Sequence, residues 1–574
     1  MTLQLQQAVS LHGSGELRQA SEIYQDVLRQ DPRHFDALQL LGLVYAQVQQ
    51  WEKALALFDL ALQVNAKSPN VLNNQGIVLK ALKRFKDAEV SFRAALEIKH
   101  DYPEAYNNLG IALQEQGREV EALAKYEAAI SLNANYAQAY SNRGNALSRM
   151  HRYDEAVASC IKAIELQSNN PEAYFNKGVA QKGLNQWQEA LSSYDKATEL
   201  NASFAQAYFN KAIIFNERKQ FEKAIFNYKK AIEASPSYSQ AHYNLGLIFT
   251  EMKDWQSALF SFGKALEFKK EFPEAYLNCG NIFKELKQFD EAALSYSRAI
   301  ETRPDYSEAY GNRGSVRHEA GFIKEAIDDY KKALALNPAL SKVRFLLAAL
   351  GVGGVPEAMP AESVVELFDN YASKFDADLT ELLAYQAPQI LFNQYRKFQT
   401  AQIPSLLDLG CGTGLCGEAF KGVAQWVVGV DLSEKMLDQA RAKAIYSQLI
   451  CADILTHVSN QMESYDLIVG ADVLIYMGPL DALFGQLKKV LRTGGYFSFT
   501  VESCMSSNFE LKTTQRYGHS KSYIHALASS NGFSVVDVQD IKLRKEKGED
   551  IFGSAVLLQS TGAHDTLHGA PPPI

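Results

Sequence analysis

A glycine-rich segment holds the clearest chemical signal in this chain. The segment LLDLGCGTGL places Gly410, Gly412 and Gly414 directly after a hydrophobic run that contains Asp408. Glycines at a strand-to-helix turn bring bare backbone against a ligand. A dinucleotide site would have G-x-G-x-x-G, but Leu415 occupies the last position of that pattern. The turn also lacks a basic residue, so the segment predicts a ligand without a pyrophosphate.

Two further aspartates follow hydrophobic runs downstream. Asp431 ends the run VVGVD, and Asp453 follows LICA. At the end of a strand, Asp431 can accept hydrogen bonds from both hydroxyls of a ribose. Asp453 can accept from the exocyclic amine of an adenine, and Met436 and Ile454 supply apolar cover. Together with Asp408, these acids suit a ligand that combines ribose, adenine and a cationic amino acid.

The elements that must position these residues form an alternating pattern. Beyond residue 360, short β-rich runs such as SLLDLG, YDLIVGAD and GGYFSFTVES alternate with helical segments. This alternation predicts an α/β layer fold with a mostly parallel sheet. Only the short segment KLRKEKGED separates the last two runs, so we expect these two strands to pair antiparallel.

This set of motifs resembles the class I S-adenosylmethionine-dependent methyltransferases over residues 361–560. The segment ADVLIYMG fits the fourth-strand motif of that family. The resemblance implies a Rossmann-like seven-stranded sheet with an antiparallel last strand, and S-adenosyl-L-methionine as cofactor. It implies that Asp408 and the glycines meet the methionine part, Asp431 the ribose, and Asp453 the adenine. The expected cofactor-binding residues are Tyr371, Asp408, Gly410, Cys411, Gly412, Gly414, Asp431, Leu432, Met436, Asp453, Ile454 and Ala471.

The segment that precedes the first strand resembles the cap of bacterial predicted tetratricopeptide-repeat methyltransferases. It reads FDNYASKFDADLTELLAYQAP. In related enzymes an aromatic side chain of the cap covers the cofactor, which makes Tyr371 and Phe375 candidates. They are four residues apart and share a helix face. Ordinary packing is the alternative for both.

Methyl transfer mainly requires that the nucleophile be held against the methyl group. Candidate catalytic residues are Tyr476, Arg516 and His519, with Asp472 nearby in sequence; a histidine has a suitable pKa for a general base. Core packing for Tyr476 and a polar helix start for His519 remain alternatives. The sequence ADVLIY is not of the Asn/Asp-Pro-Pro-Tyr type, which argues against methylation of adenine or glutamine amide nitrogens.

The first part of the chain is a repeat of 34 residues. Glycine returns at one position from Gly42 to Gly314, replaced once by Ala212, and alanine returns ten times from Ala20 to Ala326. Apolar residues within each unit have helical spacing, with a break near the middle. We count ten units, the first degenerate. They resemble tetratricopeptide repeats, which implies an all-α superhelix with a concave binding face.

One repeat position holds asparagine in eight consecutive units. A primary amide both donates and accepts, so a regular series could hold the backbone of an extended peptide. The pattern resembles the asparagine ladder of the O-linked N-acetylglucosamine transferase superhelix. The alternative is that these amides satisfy backbone between neighbouring repeats. The candidate peptide-binding residues are Asn74, Asn108, Asn142, Asn176, Asn210, Asn244, Asn278 and Asn312.

These patterns divide the chain into repeats (1–345), a linker (346–360), the methyltransferase domain (361–560) and a disordered tail (561–574). The net charge of −8 disfavours nucleic acid as a partner. No segment suits a signal peptide or a membrane span, and the scattered cysteines lack CxxC pairs. We therefore expect a cytoplasmic protein with reduced thiols and no metal site.

The sequence leaves three functions open. The first is a methyltransferase whose repeats bind a protein or peptide, which is possibly the methyl acceptor. The second is a small-molecule methyltransferase with the repeats as a docking scaffold. The third is a non-catalytic interaction scaffold, which the complete glycine turn and the three acids disfavour.

Overall fold

A computed structural model describes residues 2–372, 375–377, 385–546 and 549–562. The chain divides into two compact units, Met1–Phe272 and Pro273–Ile574. Most of the tail expected to be disordered, residues 563–574, lies outside the described residues. In the part of the chain that is described, no helix is both long and apolar enough to cross a membrane.

The first unit is entirely helical. Its helices are α1 (Thr2–Gly13), α2 (Leu17–Gln30), α3 (Phe35–Gln47), α4 (Trp51–Val64), α5 (Pro69–Ala81), α6 (Phe85–Ile98), α7 (Pro103–Gln114), α8 (Glu119–Leu132), α9 (Ala137–Arg149), α10 (Tyr153–Leu166), α11 (Pro171–Gly183), α12 (Trp187–Leu200), α13 (Ala205–Glu217), α14 (Phe221–Ala234), α15 (Ser239–Glu251) and α16 (Trp255–Phe268).

The second unit begins with further helical pairs and continues into the α/β domain. Its helices are α17 (Pro273–Glu285), α18 (Phe289–Thr302), α19 (Ser307–Glu319), α20 (Ile323–Leu336), α21 (Ser341–Ala349), α22 (Ala361–Tyr371), α23 (Phe375–Ala377), α24 (Ala387–Phe398), α25 (Leu415–Ala419), α26 (Glu434–Ala442), α27 (Ile454–Asn460), α28 (Asp481–Val490) and α29 (Lys521–Ser530). Its strands are β1 (Ile403–Leu409), β2 (Ala424–Asp431), β3 (Gln448–Cys451), β4 (Tyr465–Gly470), β5 (Leu491–Glu502), β6 (Phe509–Leu511), β7 (Tyr517–His519), β8 (Phe533–Glu546) and β9 (Glu549–Ser560).

Small residues let the two helices of each repeat approach closely. Every alanine of the series from Ala20 to Ala326 is fully buried. The repeated glycine lies against an aromatic ring of the second helix in every repeat except that of Gly144, which faces Cys160: a methyl group on Gly178 would stand 2.6 Å from Cε1 of Tyr194. The expected helix–turn–helix packing is therefore confirmed.

The turn inside each repeat uses a left-handed residue that the sequence analysis did not identify. Positive φ angles recur at one repeat position, occupied by Gln49, Lys83, Gly117, His151, Asn185, Lys219, Lys253, Lys287 and Gly321. A residue in this conformation ends a helix and lets its last carbonyls bond to the turn. Lysine occupies the position four times, so the residue types at this position did not indicate a left-handed conformation.

Two glycines of one repeat should respond oppositely to the same substitution. A methyl group on Gly246 would stand 2.7 Å from Cε1 of Phe262, so Gly246→Ala should destabilise the repeats by about 1–3 kcal/mol. Gly263 lies inside α16 with open space around it, so Gly263→Ala should stabilise by about 0.5–1 kcal/mol. Urea unfolding followed by circular dichroism measures both changes, and shifts of the same sign would contradict this packing.

The sheet of the second unit brings the ends of four parallel strands to one edge. The order is β3-β2-β1-β4-β5, continued by β9, which is antiparallel to both of its neighbours β5 and β8, and then by β8. Two short strands, β7 and β6, extend the sheet beside the end of β5. The expected seven-stranded Rossmann-like arrangement is confirmed, with these two strands in addition.

The last hairpin is longer than expected. The strands β8 and β9 pair antiparallel, as predicted, but their pairing continues to Glu546 and Glu549 through the segment assigned to the turn. The extension is stabilised because Leu543 and Arg544 point inward and are buried there. The charged residues of this segment hid the strand pattern.

Candidate cofactor and acceptor site

A cavity of about 460 Å³ lies at the carboxyl edge of the sheet. The loops after β1, β2, β3 and β4 form one side. Apolar and aromatic residues of α22 and α23 form another. The remaining walls include residues 358–359, Tyr385, Arg516 and Arg544. Most of the lining is apolar, with charged groups at a few positions.

The glycine turn after β1 adopts backbone that favours glycine. Gly410, Gly412 and Gly414 have φ angles of 65°, 53° and 94°. A methyl group on Gly410 would clash with Cγ2 of Val473. At Gly412 the nearest atom to such a methyl is 3.9 Å away, on the Phe375 ring. Gly412 therefore leaves space for a ligand against the backbone, as the sequence predicts.

Asp408 lies below the glycine turn and is not among the residues that line the cavity. Its side chain is almost fully buried, and its Oδ2 accepts a 2.6 Å hydrogen bond from the Tyr446 hydroxyl. Burial raises the pKa of this carboxyl to about 7, although the Tyr446 bond opposes the change. A role for Asp408 toward the methionine part of a cofactor stays a prediction.

Asp408 should make folding stability depend on pH. Its folded pKa of about 7 stands above its ordinary value of 3.8, so the folded chain holds this proton more tightly than the unfolded chain. The contribution is therefore present below about pH 4 and lost as pH rises through about 7. Between those limits, the wild type should lose about 2–4 kcal/mol relative to Asp408→Asn. Urea unfolding of both proteins across this range measures the difference, and parallel pH profiles would contradict it.

Asp431 ties the glycine turn to the end of β2. Its Oδ2 accepts from the Gly412 amide at 2.9 Å, and its Oδ1 accepts from the Ser433 amide at 2.9 Å. Burial raises the pKa of this carboxyl, while these amide donors act in the opposite direction. The side chain lines the cavity, where lone pairs of both oxygens can accept ligand hydroxyls.

The other predicted cofactor residues divide into two groups. Those on the cavity wall are Tyr371, Cys411, Leu432, Asp453, Ile454 and Ala471. Met436 is fully buried and, like Gly414, is not among the lining residues. Asp453 also caps α27, since its Oδ1 accepts from the Thr456 amide at 2.9 Å. This bond leaves the second carboxylate oxygen for a ligand amine.

Aromatic side chains of α22 and α23 cover the cavity. The Phe375 ring packs edge to face against Tyr371 and Phe368, with centroids 5.8 and 5.9 Å apart. The Phe368 ring also packs against the Tyr476 ring, with centroids 5.6 Å apart. Asp369 accepts a 2.6 Å hydrogen bond from the Ser433 hydroxyl, which ties α22 to the loop after β2. The described part of the cap expected from the sequence thus lies over the cavity, and its residues 373–374 and 378–384 lie outside the described residues.

Two of the three predicted catalytic residues, Tyr476 and Arg516, line the same cavity. Tyr476 ends the short turn Leu474–Tyr476 after β4, and Arg516 belongs to the hairpin turn between β6 and β7. Burial raises the pKa of the Tyr476 hydroxyl, and the hydrogen bond and charge of Arg516 oppose that change. At neutral pH the phenol therefore keeps its proton.

The structure does not bring His519 to the cavity wall. Its ring is buried, and Nε2 lies 2.8 Å from the Gly478 carbonyl. It stacks on Tyr523 with an interplanar angle of 11°. Burial lowers the pKa of this histidine, so it is neutral at physiological pH. This position fits a residue that supports the loop after β4. None of the described contacts of His519 supports the predicted catalytic role.

A buried ion cluster beside the cavity was missed in the sequence analysis. Nη1 of Arg544, on β8, donates to both Asp472 oxygens at 2.9 Å, and its Nη2 donates to Glu502 at 2.7 Å. Lys512 bonds the second oxygen of Glu502 at 2.9 Å. Asp472 has φ 56°, a strained angle for a non-glycine residue. The only feature of the sequence that could have indicated this cluster was a basic residue within a strand.

The end of the segment assigned as a linker also belongs to the cavity wall. Ala358 forms a bridge with Met477, and the Met359 amide donates to the Tyr476 carbonyl at 2.9 Å. The Pro356 carbonyl accepts a 2.6 Å bond from the Tyr517 hydroxyl. Residues 356–359 are therefore held against the site, which their glycine- and proline-rich composition did not indicate.

Most asparagines of the series donate hydrogen bonds to the preceding repeat or to their own. Asn108 donates to Asn73 at 3.1 Å and Asn142 donates to Asn107 at 2.8 Å, each on the preceding repeat. The others with side-chain donations are Asn176, Asn210, Asn244, Asn278 and Asn312, to acceptors in the preceding repeat or in their own. Asn74 is half-buried. These contacts favour the structural alternative, although an amide that donates once still has further bonding capacity.

Comparison with known families agrees with both parts of the chain. The family described as "Methyltransferase domain" matches residues 406–495. Families described as tetratricopeptide or TPR repeats match segments that lie between residues 11 and 340. These matches confirm the two resemblances seen in the sequence.

The curated relatives that the chain resembles include methyltransferases. The "Biotin biosynthesis bifunctional protein BioHC" of Saccharophagus degradans is 32% identical over 144 residues, 24% of each chain. The "Probable S-adenosylmethionine-dependent methyltransferase CRG1" of Saccharomyces cerevisiae is 29% identical over 25% of this chain and 52% of its own. This chain thus spans between a quarter and half of these relatives' lengths. Among solved structures, the TPR protein YrrB is 22% identical over 33% of this chain and 98% of its own, with a TM-score of 0.28.

Proposed function

We propose that this chain, which carries tetratricopeptide repeats and a methyltransferase domain, is an S-adenosylmethionine-dependent methyltransferase whose repeats bind a protein or peptide partner. The observation that supports the activity best is one cavity bounded by the Gly412 backbone, Asp431 and Asp453. Its residues fit the cofactor: open space above a glycine amide, a carboxylate for ribose hydroxyls, and a second one for an adenine amine.

The chain's own residues would act mainly by positioning. S-adenosylmethionine, when bound, supplies an electrophilic methyl group. Asp431 and Asp453 orient the two ends of the nucleoside, and the rings of Phe368 and Phe375 exclude water from above. Tyr476 and Arg516 are left to face the acceptor. Such orientation can contribute several orders of magnitude to the rate.

The repeats would select the partner. Stacked repeats form extended binding surfaces, and the half-buried asparagines keep part of their hydrogen-bonding capacity. Because many of these amides already bond within the protein, side chains around them must contribute to recognition. The more specific form of this proposal is that the partner is itself the methyl acceptor.

Transfer of label tests both parts. The purified chain is incubated with methyl-labelled S-adenosylmethionine and a soluble bacterial extract, and proteins are then separated from small molecules. We expect label in discrete protein bands with the wild type, and none with Asp431→Asn. Asn142→Ala together with Asn244→Ala should reduce that labelling, while exposed Asn135→Ala, outside the series, should not.

The other outcomes discriminate between the remaining functions. Label confined to the small-molecule fraction would contradict a protein acceptor and make the repeats a docking scaffold. No transferred label, with cofactor binding retained, would contradict the enzymatic proposal and leave an interaction scaffold. Unchanged labelling after the asparagine substitutions would show that the asparagine series does not contribute to partner binding.

A further inference from the structure

A crevice of about 380 Å³ lies beside the cofactor cavity. Its walls come from α21, from the segment that leads into α22 and α22 itself, and from the turn between β6 and β7. Met359, Leu367 and Tyr371 line both the crevice and the cavity. These side chains therefore lie between the two spaces, and the crevice adjoins the site of methyl transfer.

The helix α21 joins the last repeat to the α/β domain of the second unit. Val343 and Leu347 belong to the same hydrophobic cluster as Tyr330 of α20. Between them in sequence, the Phe345 ring packs against Tyr517 on β7, with centroids 6.2 Å apart. Because α21 supplies one wall of the crevice, the crevice lies where the repeats of the second unit end.

Polar contacts join α21 to α22 at this crevice. Of the described residues that line it, the charged ones are Lys342 and Glu366, and these two pair with each other. The Ser341 hydroxyl donates a hydrogen bond to Glu362. These contacts hold the two walls together. The lining carries no net charge, which favours an uncharged ligand over an ion.

A buried hydroxyl in the crevice wall has no partner in the described part of the chain. It belongs to Ser363, whose oxygen is inaccessible to solvent and bonds to no described residue. Buried polar groups in folded proteins are nearly always hydrogen-bonded, because an unsatisfied group is destabilising. The unsatisfied hydroxyl therefore points to a bonding group that a ligand brings into the crevice.

The side chains of the crevice suit an extended peptide. A hydroxyl and a primary amide can each donate and accept, so Ser363 and Gln515 can bond the N–H and C=O groups of a peptide backbone. Phe345 and Leu346, which also line the crevice, offer contact to an apolar side chain. A peptide thus uses both the polar and the apolar parts of the lining.

We propose that this crevice binds the methyl acceptor as an extended, uncharged segment of the protein partner. The side chain to be methylated would pass Met359 and Leu367 to reach the cofactor cavity. The inference rests on the proposed methyltransferase function and specifies where and in what form that function receives its acceptor. It assigns Ser363 to acceptor binding.

Photocrosslinking identifies the occupant of the crevice. The photoreactive amino acid p-benzoylphenylalanine replaces Lys342, and the purified chain is irradiated during incubation with methyl-labelled S-adenosylmethionine and a soluble bacterial extract. We expect a crosslinked product that joins this chain to a protein carrying the transferred label. The same amino acid in place of Lys331, which is exposed on α20 and outside the crevice, should give no such product.

Two substitutions of Ser363 test its role. Ser363→Ala should lower the initial rate of label transfer about threefold to tenfold, the effect of one lost hydrogen bond. Because the hydroxyl bonds to no described residue, the midpoint of urea unfolding should not fall. Ser363→Trp fills the crevice and should lower the rate about tenfold or more.

The cofactor half of the site supplies the control measurement. Both Ser363 variants should bind S-adenosylhomocysteine within about threefold of the wild type, as measured by calorimetry. Ser529→Trp is the matched substitution, since Ser529 is exposed on α29 and lines neither the crevice nor the cavity. It should match the wild type in rate and affinity.

Four outcomes would contradict parts of this inference or its premise. Label confined to small molecules would show that the acceptor is not a peptide, while leaving the methyltransferase function intact. Equal rates for wild type and Ser363→Trp would show that the acceptor does not use the crevice. A slower Ser363→Ala that is also less stable would give this hydroxyl a structural role. No transfer by the wild type despite cofactor binding would contradict the proposed function itself.

Discussion

Asp431→Asn is expected to weaken binding of S-adenosylhomocysteine about a hundredfold, through the loss of charge-assisted hydrogen bonds to ribose. The carboxylate also accepts the amides of Gly412 and Ser433, and a side-chain amide nitrogen can accept neither. The substitution therefore disturbs the turn as well as removing a ligand contact. Calorimetry with the purified chain measures the affinity.

The control for Asp431→Asn is Asp438→Asn on the adjacent helix α26. Asp438 is mostly exposed and pairs with Arg441, so its substitution should leave the affinity unchanged. Circular dichroism melting separates a local effect from unfolding. Cofactor binding of the Asp431 variant within about threefold of the wild type would contradict the assignment of this carboxylate.

Arg544→Met should destabilise the α/β domain by about 3–5 kcal/mol, because it removes the cation that bonds the carboxylates of Asp472 and Glu502 in a largely buried cluster. Arg544 bonds Asp472 and Glu502, and its side chain is 4% exposed. Hydrogen exchange of amides in β5 and β9 reports stability of this domain separately from that of the repeats. Faster exchange of these amides is the expected observation.

A compensated variant tests the cause of this destabilisation. Asp472→Asn and Glu502→Gln, added to Arg544→Met, remove the two carboxylates that Arg544 bonds and should restore much of the loss. Arg441→Met serves as the control, since Arg441 is exposed on α26. If the triple variant is no more stable than Arg544→Met, lost packing rather than unpaired charge explains the effect.

Local patterns predicted much of the fold. The alanine series and the glycine that faces Tyr194 are governed by contacts inside one repeat, so their spacing appears directly in the sequence. The glycine turn after β1 likewise depends on backbone angles of neighbouring residues. The strand pattern predicted the parallel sheet and the antiparallel last strand, because buried strands need hydrophobic runs.

Long-range contacts explain the main differences between prediction and structure. Arg544 bonds Asp472, which lies 72 residues earlier in the sequence, so no local pattern indicated the ion cluster. His519 has a suitable side chain for a base, but the register of β7 turns it toward the Gly478 carbonyl. The amide of Asn142 is equally suitable for a peptide, yet Asn107 of the preceding repeat accepts its bond.

The sequence by itself therefore determined the repeat architecture, the α/β class and the glycine turn after β1. Those features rest on helix and strand periodicity and on glycines whose backbone geometry is local. Only the tertiary structure decided which cations reach the cavity, because Arg516 in the turn between β6 and β7 and Arg544 on β8 are distant in sequence from the glycine turn. The effect of a charged side chain depends on its distances to neighbouring charged and polar groups, and folding of the chain sets those distances.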